Sequence, residues 1–414
     1  MAFRIALSGL EAASTDLDVT GNNIANVSTS GFKESRAEFA DIYSTSIQDL
    51  GTQSAGRGTR VARIAQQFSQ GTIEFTSNNL DLAINGEGFF ILGDDQGSRY
   101  YTRSGAFGVD REGYIVNHAG QRLQVYDAVA GSGGTTTFDT GALVDMQLEL
   151  QPSPPNATTE ISAGINLNAA LDLPTSATFS IADPNSYNSA TSITVYDSLG
   201  EAHTATLYFG KTSTANQWNV RMAVAVNDTT TTVVGPETVT FDSAGALSLP
   251  ASGILSFSPY AFTNGAANMS VDVDFNTATQ YAGEFGVNDL SQDGYASGRL
   301  NGIDVDDTGV VFARFTNGRS TSLGKVVLAK FNNPDGLGQE GGNNWNETFD
   351  SGDAQLGEAG TASFGVIQSG ALELSNVDVA TQLVKLIVAQ RNFQANAKVI
   401  STSDQVTQAV INIR

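Results

Sequence analysis

The segment Asp304-Val305-Asp306-Asp307-Thr308-Gly309 opens like a calcium loop, with carboxylates at alternate positions and glycine at the sixth. A loop of that type needs a bidentate glutamate at its twelfth position, and Phe315 stands there. The same residues fit a hairpin turn better, with an aspartate opening it and a glycine taking the positive-φ position. Gly86-Glu87-Gly88 lacks the third glycine and the following helix of a dinucleotide fingerprint. Arg57, Arg60 and Arg63 are the densest basic cluster, but no helix N-terminus follows to complete a phosphate site. Ala62, Ile64 and Phe68 fall on one face at strand spacing, which puts the arginines on an exposed strand.

His118 and His203 are the only histidines. His203 lies near Asp197 and Ser198, the residue types of a nucleophilic triad, but as strand and turn neighbours the three do not read as one. Asp272 and Asp274 share a strand face as paired carboxylates would; in so acidic a stretch, solvated charge accounts for them. There is no cysteine, so disulfides, thiolate metal sites and cysteine nucleophiles are excluded. No active site, metal or cofactor is expected, and the chain does not read as an enzyme.

The stronger signals are in the elements at the two ends. Residues 375–414 contain no Gly and no Pro in a chain with 43 glycines. Read every seventh residue, they give Val379, Leu386, Phe393, Ile400 and Thr407, with a companion row of Leu383, Gln390, Ala397, Asp404 and Ile411. That spacing draws an apolar seam along a long helix. Ser375-Asn376-Val377-Asp378 supplies its N-cap and acidic first turn. At roughly 1.5 Å per residue such a helix runs about 55–60 Å and needs a partner. The N-terminus offers one. Phe3, Leu10, Leu17 and Ile24 repeat at seven, each of the first three followed three residues later by the small Ala6, Ala13 or Thr20. The large row supplies burial, on the order of 1.5–3 kcal/mol for a fully buried Leu or Phe, and the small row lets a second helix come close. Phe3, Leu10, Leu17, Ile24, Val379, Leu383, Leu386, Phe393 and Ile400 are therefore the candidate assembly residues. Both helices are expected to fray in a free monomer and to order in company.

A formal net charge of −22 argues against nucleic acid or an anionic membrane as partner. Only 15% of residues are charged, against about 25% in ordinary domains, which suits a surface packed against copies of itself. No Sec-type signal opens the chain and no 18-residue apolar run spans a membrane. The first helix should end near Asn22-Asn23-Ile24-Ala25-Asn26, where asparagine tolerates the left-handed conformation, and Gly31 closes the segment. Residues 29–70 read as an extended connector. From Gly71 the pattern is β, with Phe89–Leu92 a buried strand and Asp-x-x-Gly turns at Asp110, Asp242 and Asp306. Residues 150–285 hold eight of the nine prolines and, of the bases, only Lys211 and Arg221. They read as an outer β domain inserted into an inner one formed by 71–149 and 286–374. The expected fold is mainly β with terminal α-helices. The N- and C-terminal helices (1–28 and 375–414) pair as a coiled coil, and two β domains are nested, the outer inserted in the inner.

Ser8-Gly9-Leu10, Asn22-Asn23-Ile24-Ala25-Asn26 and Gly31-Phe32-Lys33 resemble the N-terminal signature of bacterial flagellar rod and hook proteins. Leu372-Glu373-Leu374-Ser375-Asn376-Val377-Asp378 and Gln390-Arg391-Asn392-Phe393-Gln394-Ala395-Asn396 resemble their C-terminal signature. Leu80 to Phe90 and Tyr101-Thr102-Arg103-Ser104-Gly105 are similar to their shared β domain. The insertion, with Val195-Tyr196-Asp197-Ser198-Leu199-Gly200, Trp218, Gln292-Asp293-Gly294-Tyr295 and Asn332-Asn333-Pro334-Asp335-Gly336-Leu337, resembles the hook members in particular. Gln382 departs from the family's usual glutamate and would remove a helix-face ion pair.

The resemblance implies a homopolymeric tube outside the cell, exported by the flagellar type III apparatus, that joins rod to filament and transmits torque while bent. It also implies the distal rod, a hook cap and a hook–filament junction protein as partners. A distal rod protein would share the termini, but the insertion counts against it. An extracellular enzyme or glycan-binding β protein would need a cluster of polar chemistry that the sequence does not offer.

Overall fold

The computed structural model describes residues 2–42, 56–130, 136–148, 151–227, 230–361 and 363–411. Residues 43–55 of the expected connector, Leu150 at the expected start of the inserted domain, and 412–414 lie outside the described residues. Contacts divide the chain into two compact units, one of Met1–Leu150, Gly302–Arg314 and Ser320–Arg414, the other of Gln151–Asn301 and Phe315–Arg319.

In the first unit, helix α1 (Ala2–Ala25) and helix α2 (Val379–Ile411) pack together. The 33 residues of α2 make a rod of about 50 Å. Part of 29–70, expected as an extended connector, is instead an antiparallel pair, β1 (Ser35–Asp41) with β2 (Thr59–Gln66), in register from Ser35↔Gln66 to Asp41↔Thr59. A bulge after Glu38 leaves Ala62 unpaired and interrupts the strand alternation there. Arg60 and Arg63 do lie exposed on β2, as does Ile64.

The body of the unit is a sheet whose central strands are Ser320–Lys330, Arg122–Ala130, Phe89–Gly93 and Arg99–Thr102, in that order. Successive residues of one strand serve opposite faces. Phe90 and Leu92 join Leu123, Val125, Val326 and Leu328 on one side, while Phe89 and Ile91 join Val327, Ala329 and Trp345 on the other. Burial on both faces explains why this strand reads as an unbroken apolar run. Two short antiparallel pairs lie closer to the termini in sequence, Ile73–Phe75 with Ala371–Glu373 and Leu82–Asn85 with Val366–Ser369.

The second unit has two five-stranded sheets with one apolar core between them. One is an antiparallel meander running from Ser189–Tyr196 through Ala202–Lys211, Gln217–Asn227 and Thr230–Phe241 to Leu247–Leu249. In the other, Glu160–Asn168 is flanked by Asp272–Asp274 and Thr279–Tyr281 in parallel and by Gly286–Gln292 antiparallel. That last pairing, from Ile161↔Gln292 to Asn166↔Gly286, carries the unit on to Asn301, beyond the boundary expected at 285. Composition drew that boundary, and composition does not register strand pairing, which runs past it. Asp306 is a turn residue, its Oδ1 accepting from the Thr308 and Val310 N–H groups at 3.0 and 2.8 Å, and Gly309 has φ +84°.

Candidate functional site: the terminal helix pair and its base

The chain leaves α1 through a turn closed by Gly31, at φ +71°. None of Asn22, Asn23 or Asn26 takes the left-handed conformation expected of them. A Cβ at Gly31 would stand 2.4 Å from the Ser104 backbone nitrogen, so only glycine both makes this turn and lies flat against Ser104. Its N–H donates to the Glu373 carbonyl at 2.7 Å. Phe32 and Lys33 follow, both buried. Lys33 Nζ donates to Glu373 Oε1 at 2.6 Å and to the Ser69 carbonyl at 2.8 Å, and both ionic side chains are 0% exposed. Glu373 Oε1 also accepts from the Gly71 N–H at 2.8 Å, and Oε2 from Arg103 Nη1 at 3.3 Å. Arg103 stacks over the Phe89 ring at 5.3 Å. Burial pulls the Lys33 ammonium below the usual lysine range against the opposing pull of Glu373. A buried ion cluster of this kind is tolerable only because hydrogen bonds replace the lost water.

Three amide side chains stitch the next layer. Asn23 accepts from the Ser35 N–H at 2.9 Å and donates to the Ser35 carbonyl at 2.7 Å, pairing with it as a neighbouring strand would. Asn376 accepts from the Glu34 N–H at 2.7 Å and donates to the Gln67 and Ser69 carbonyls at 2.7 and 3.1 Å. Gln382 accepts from Asn23 Nδ2 at 3.3 Å and donates to Glu34 Oε1 at 2.8 Å, the oxygen that also accepts from Lys385 at 2.7 Å. Asp378 caps α2, its Oδ1 accepting from the Thr381 N–H at 2.7 Å. The Thr381 hydroxyl and N–H together hold its carboxyl below the usual range. Ser375 and Val377 are buried beside it.

Above this base the helices run antiparallel. Asn23 meets Gln382 at one end, and Gly9 faces Asn396 further along, where a Cβ would stand 2.8 Å from Asn396 Oδ1. Ala6, Ala12, Ala13, Val19 and Thr20 of α1 and Gln382 and Ala389 of α2 are the buried centre. Small residues let the two backbones approach closely. The large heptad row expected at the seam flanks it. Leu10, Leu17, Ile24, Leu386, Phe393 and Ile400 are half-buried, while Phe3, Val379 and Leu383 are exposed. Leu383, Val384, Ile387 and Val388, exposed by 46, 62, 49 and 48%, make one apolar stripe on α2. A groove of about 460 Å³ lies where the pair meets β1 and β2, lined by Gly9, Ala12, Asp16, Phe39, Asn392 and Asn396 among others. Burial there pushes the Asp16 carboxyl up, with Lys385 opposing.

Four family models match in sequence order. They are the flagella basal body rod protein over 3–33, the flagellar hook protein FlgE/F/G D1 domain over 83–195, the flagellar basal body protein FlaE D2 domain over 166–295, and the flagellar basal body rod FlgEFG protein C-terminal region over 368–413. Flagellar hook protein FlgE of Escherichia coli is 40% identical over 418 residues, covering all of both chains. The protein of the same description from Salmonella typhimurium is 38% identical over all of both, and that from Borreliella burgdorferi 34% over 99% of this chain and 98% of that one. The chain belongs to the flagellar hook protein family. In fold it is similar to the crystal structure of Helicobacter pylori flagellar hook protein FlgE2, with a TM-score of 0.54 at 15% identity over 72% of this chain and 100% of that one.

Within this hook-family chain the motif residues fall into two groups. Asn23, Gly31, Phe32, Ser375, Asn376, Val377 and Asp378 meet at the base. Asn22, Gln390 and Arg391 are exposed; Ile24, Asn26 and Asn396 are half-buried along the pair. Gln382 is a correction to the sequence reading. It is 1% exposed and bridges Asn23 to Glu34, so its position is no solvent-exposed helix face. Sequence reasoning gave no role to Lys33, Arg103 or Glu373. The signal available was a charge set inside otherwise apolar or small-residue motifs, Gly31-Phe32-Lys33 and Leu372-Glu373-Leu374.

Proposed function

We infer that the chain is the structural subunit of the bacterial flagellar hook and that its terminal helix pair is the element through which copies assemble outside the cell. The observation that carries the assembly reading is the division of labour on the pair. Small residues join α1 to α2, and the large residues Leu383, Val384, Ile387 and Val388 are left facing outward. An apolar stripe of that length on a helix suits burial against further helices. Contacts between different faces of identical subunits build an open helical array, and a tube of this kind is the torque-transmitting joint of a hook. The finer partners we assign are the distal rod below, the hook cap during growth, the hook–filament junction protein above and the flagellar type III export apparatus. Among the described residues no helix is long and apolar enough to cross a membrane.

The test is sedimentation with electron microscopy of the full chain against Leu383→Asp/Ile387→Asp. Both positions are exposed in the monomer, so its unfolding free energy should be unchanged within about 0.5 kcal/mol, while tubes and short polymers disappear. Polymerisation of the double variant would put the interface elsewhere.

A further inference from the structure

In the second unit, three ligating side chains cluster. Asp197, Glu201 and His203 bring one donor atom each within 4.8 Å of one another. The first two bracket the tight turn that joins strand Ser189–Tyr196 to Ala202–Lys211, and His203 is the second residue of the latter. Asp197 and His203 are buried; Glu201 is exposed at the rim. Asp197 Oδ1 is occupied by the Leu199 and Glu201 N–H groups, both at 2.9 Å, which leaves Oδ2 facing the cluster. Ser198 takes no part, its Oγ accepting instead from the Ala267 N–H at 2.8 Å.

The imidazole is the informative member. His203 Nδ1 lies 3.2 Å from the Ala225 carbonyl oxygen, which can only accept, so Nδ1 carries the hydrogen. Nε2 then faces Asp197 Oδ2, 3.3 Å away. In a buried site a proton or a metal ion between these two atoms completes the contact. Glu201 adds a second carboxylate to the same spot, so a single proton would leave the group negative where a divalent ion would neutralise it. Fixing a histidine's outer N–H on a backbone carbonyl is the usual way of orienting a ligand ring toward a metal. Phe262 stacks on the ring at 4.5 Å and shields it. Asn264 Nδ2 stands 2.6 Å from Asp197 Oδ2 and 2.7 Å from Glu201 Oε2, bridging the two carboxylates from a different loop.

We propose that Asp197, Glu201 and His203 form a binding site for a divalent transition ion of the Zn²⁺ class, which ties the Asp197–Gly200 turn to the loop carrying Phe262 and Asn264. One imidazole nitrogen and two carboxylates form a donor set suited to zinc, with a fourth position left for water or a rotated Asn264 amide. The ion braces the second unit, and the proposal does not depend on the assembly reading.

The experiment is isothermal titration of Zn²⁺ into the EDTA-stripped full chain at neutral pH, with Glu201→Gln, His203→Gln and His118→Gln beside it. With no cysteine and two histidines in the chain, the comparison is clean. Wild type and His118→Gln should bind one equivalent, with affinity falling at least about tenfold in the other two. Glu201 is exposed, so its variant should retain the zinc-free melting point even where His203→Gln fails to fold. Absence of saturable binding, or binding that survives Glu201→Gln, overturns the proposal. So does binding lost with His118→Gln, and a proton then completes the His203–Asp197 contact.

Discussion

Glu373 is one carboxylate shared by two buried cations, and that asymmetry orders the cost of removing each partner. Glu373→Gln strands Lys33 and Arg103 together without a counter-charge, a loss of about 3–5 kcal/mol. Lys33→Met leaves an Arg103–Glu373 pair intact, with the Gly71 N–H still on Glu373 and Asn376 still on the Ser69 carbonyl, a loss of about 1–3 kcal/mol. The two tryptophans, Trp345 in the first unit and Trp218 in the second, make the readout direct. Urea titration of 5-fluorotryptophan-labelled chain, followed at the Trp345 fluorine resonance, should rank Glu373→Gln well below Lys33→Met, and equal losses would count against the shared-carboxylate account. Gln382→Glu probes the layer above. The change deletes the donor to Glu34 and sets a second carboxylate beside it, so the pair must share a proton and one pKa rises. A carboxyl raised in the fold contributes its stability below that raised value and loses it as pH rises through it. The deficit of Gln382→Glu against wild type, roughly 1–3 kcal/mol at pH 8, should therefore shrink at pH 5. A deficit independent of pH would mean that Lys385 neutralises both groups.

At the scale of the element, the helix pair depends on closeness. Gly9 lies where any side chain meets Asn396 at 2.8 Å. Gly9→Ala should be nearly neutral, because Asn396 can swing aside and the helix gains about 1 kcal/mol of propensity. Gly9→Leu should force α1 from α2 and raise amide exchange along 389–403, with exchange in the Phe89–Gly93 strand unchanged. Both helices were legible from seven-residue spacing, the buried strand at Phe89 from its apolar run, and the turns from their Asp-x-x-Gly pattern. Within the single chain, burial along the pair does not follow side-chain size. At a close antiparallel crossing, Ala6, Ala13 and Thr20 are inside because they are small, and Leu383 is outside. The base was illegible for another reason. Lys33 finds Glu373 across 340 residues and Asn376 finds Glu34 across 342, separations that no local periodicity encodes.

For the whole molecule, two compact units imply two unfolding events. Three carboxylates of the second unit sit below their usual range. Asp183 is held there chiefly by the Ser176 hydroxyl. Burial pushes Asp197 and Asp293 up, but hydrogen bonds outweigh it, led by Asn264 for Asp197 and Thr159 for Asp293. A carboxylate depressed in the fold contributes stability above its unfolded pKa, near 3.9, and loses it as pH falls through the folded value. With EDTA present, the Trp218 resonance should report a urea midpoint that is level from pH 7 to about 5 and declines below about pH 4. The antiparallel run of α1 and α2 also has a mechanical meaning. Because Asn23 meets Gln382 at the base and Gly9 meets Asn396 further out, the free ends of both helices lie at the same end of the rod. Tension applied between those two ends peels the pair open turn by turn, and each step breaks few contacts. A push or pull along the rod axis, such as a subunit feels on the inner or outer arc of a bent tube, loads every interlocked turn in parallel. The pair is thus weak as a zipper and stiff as a strut.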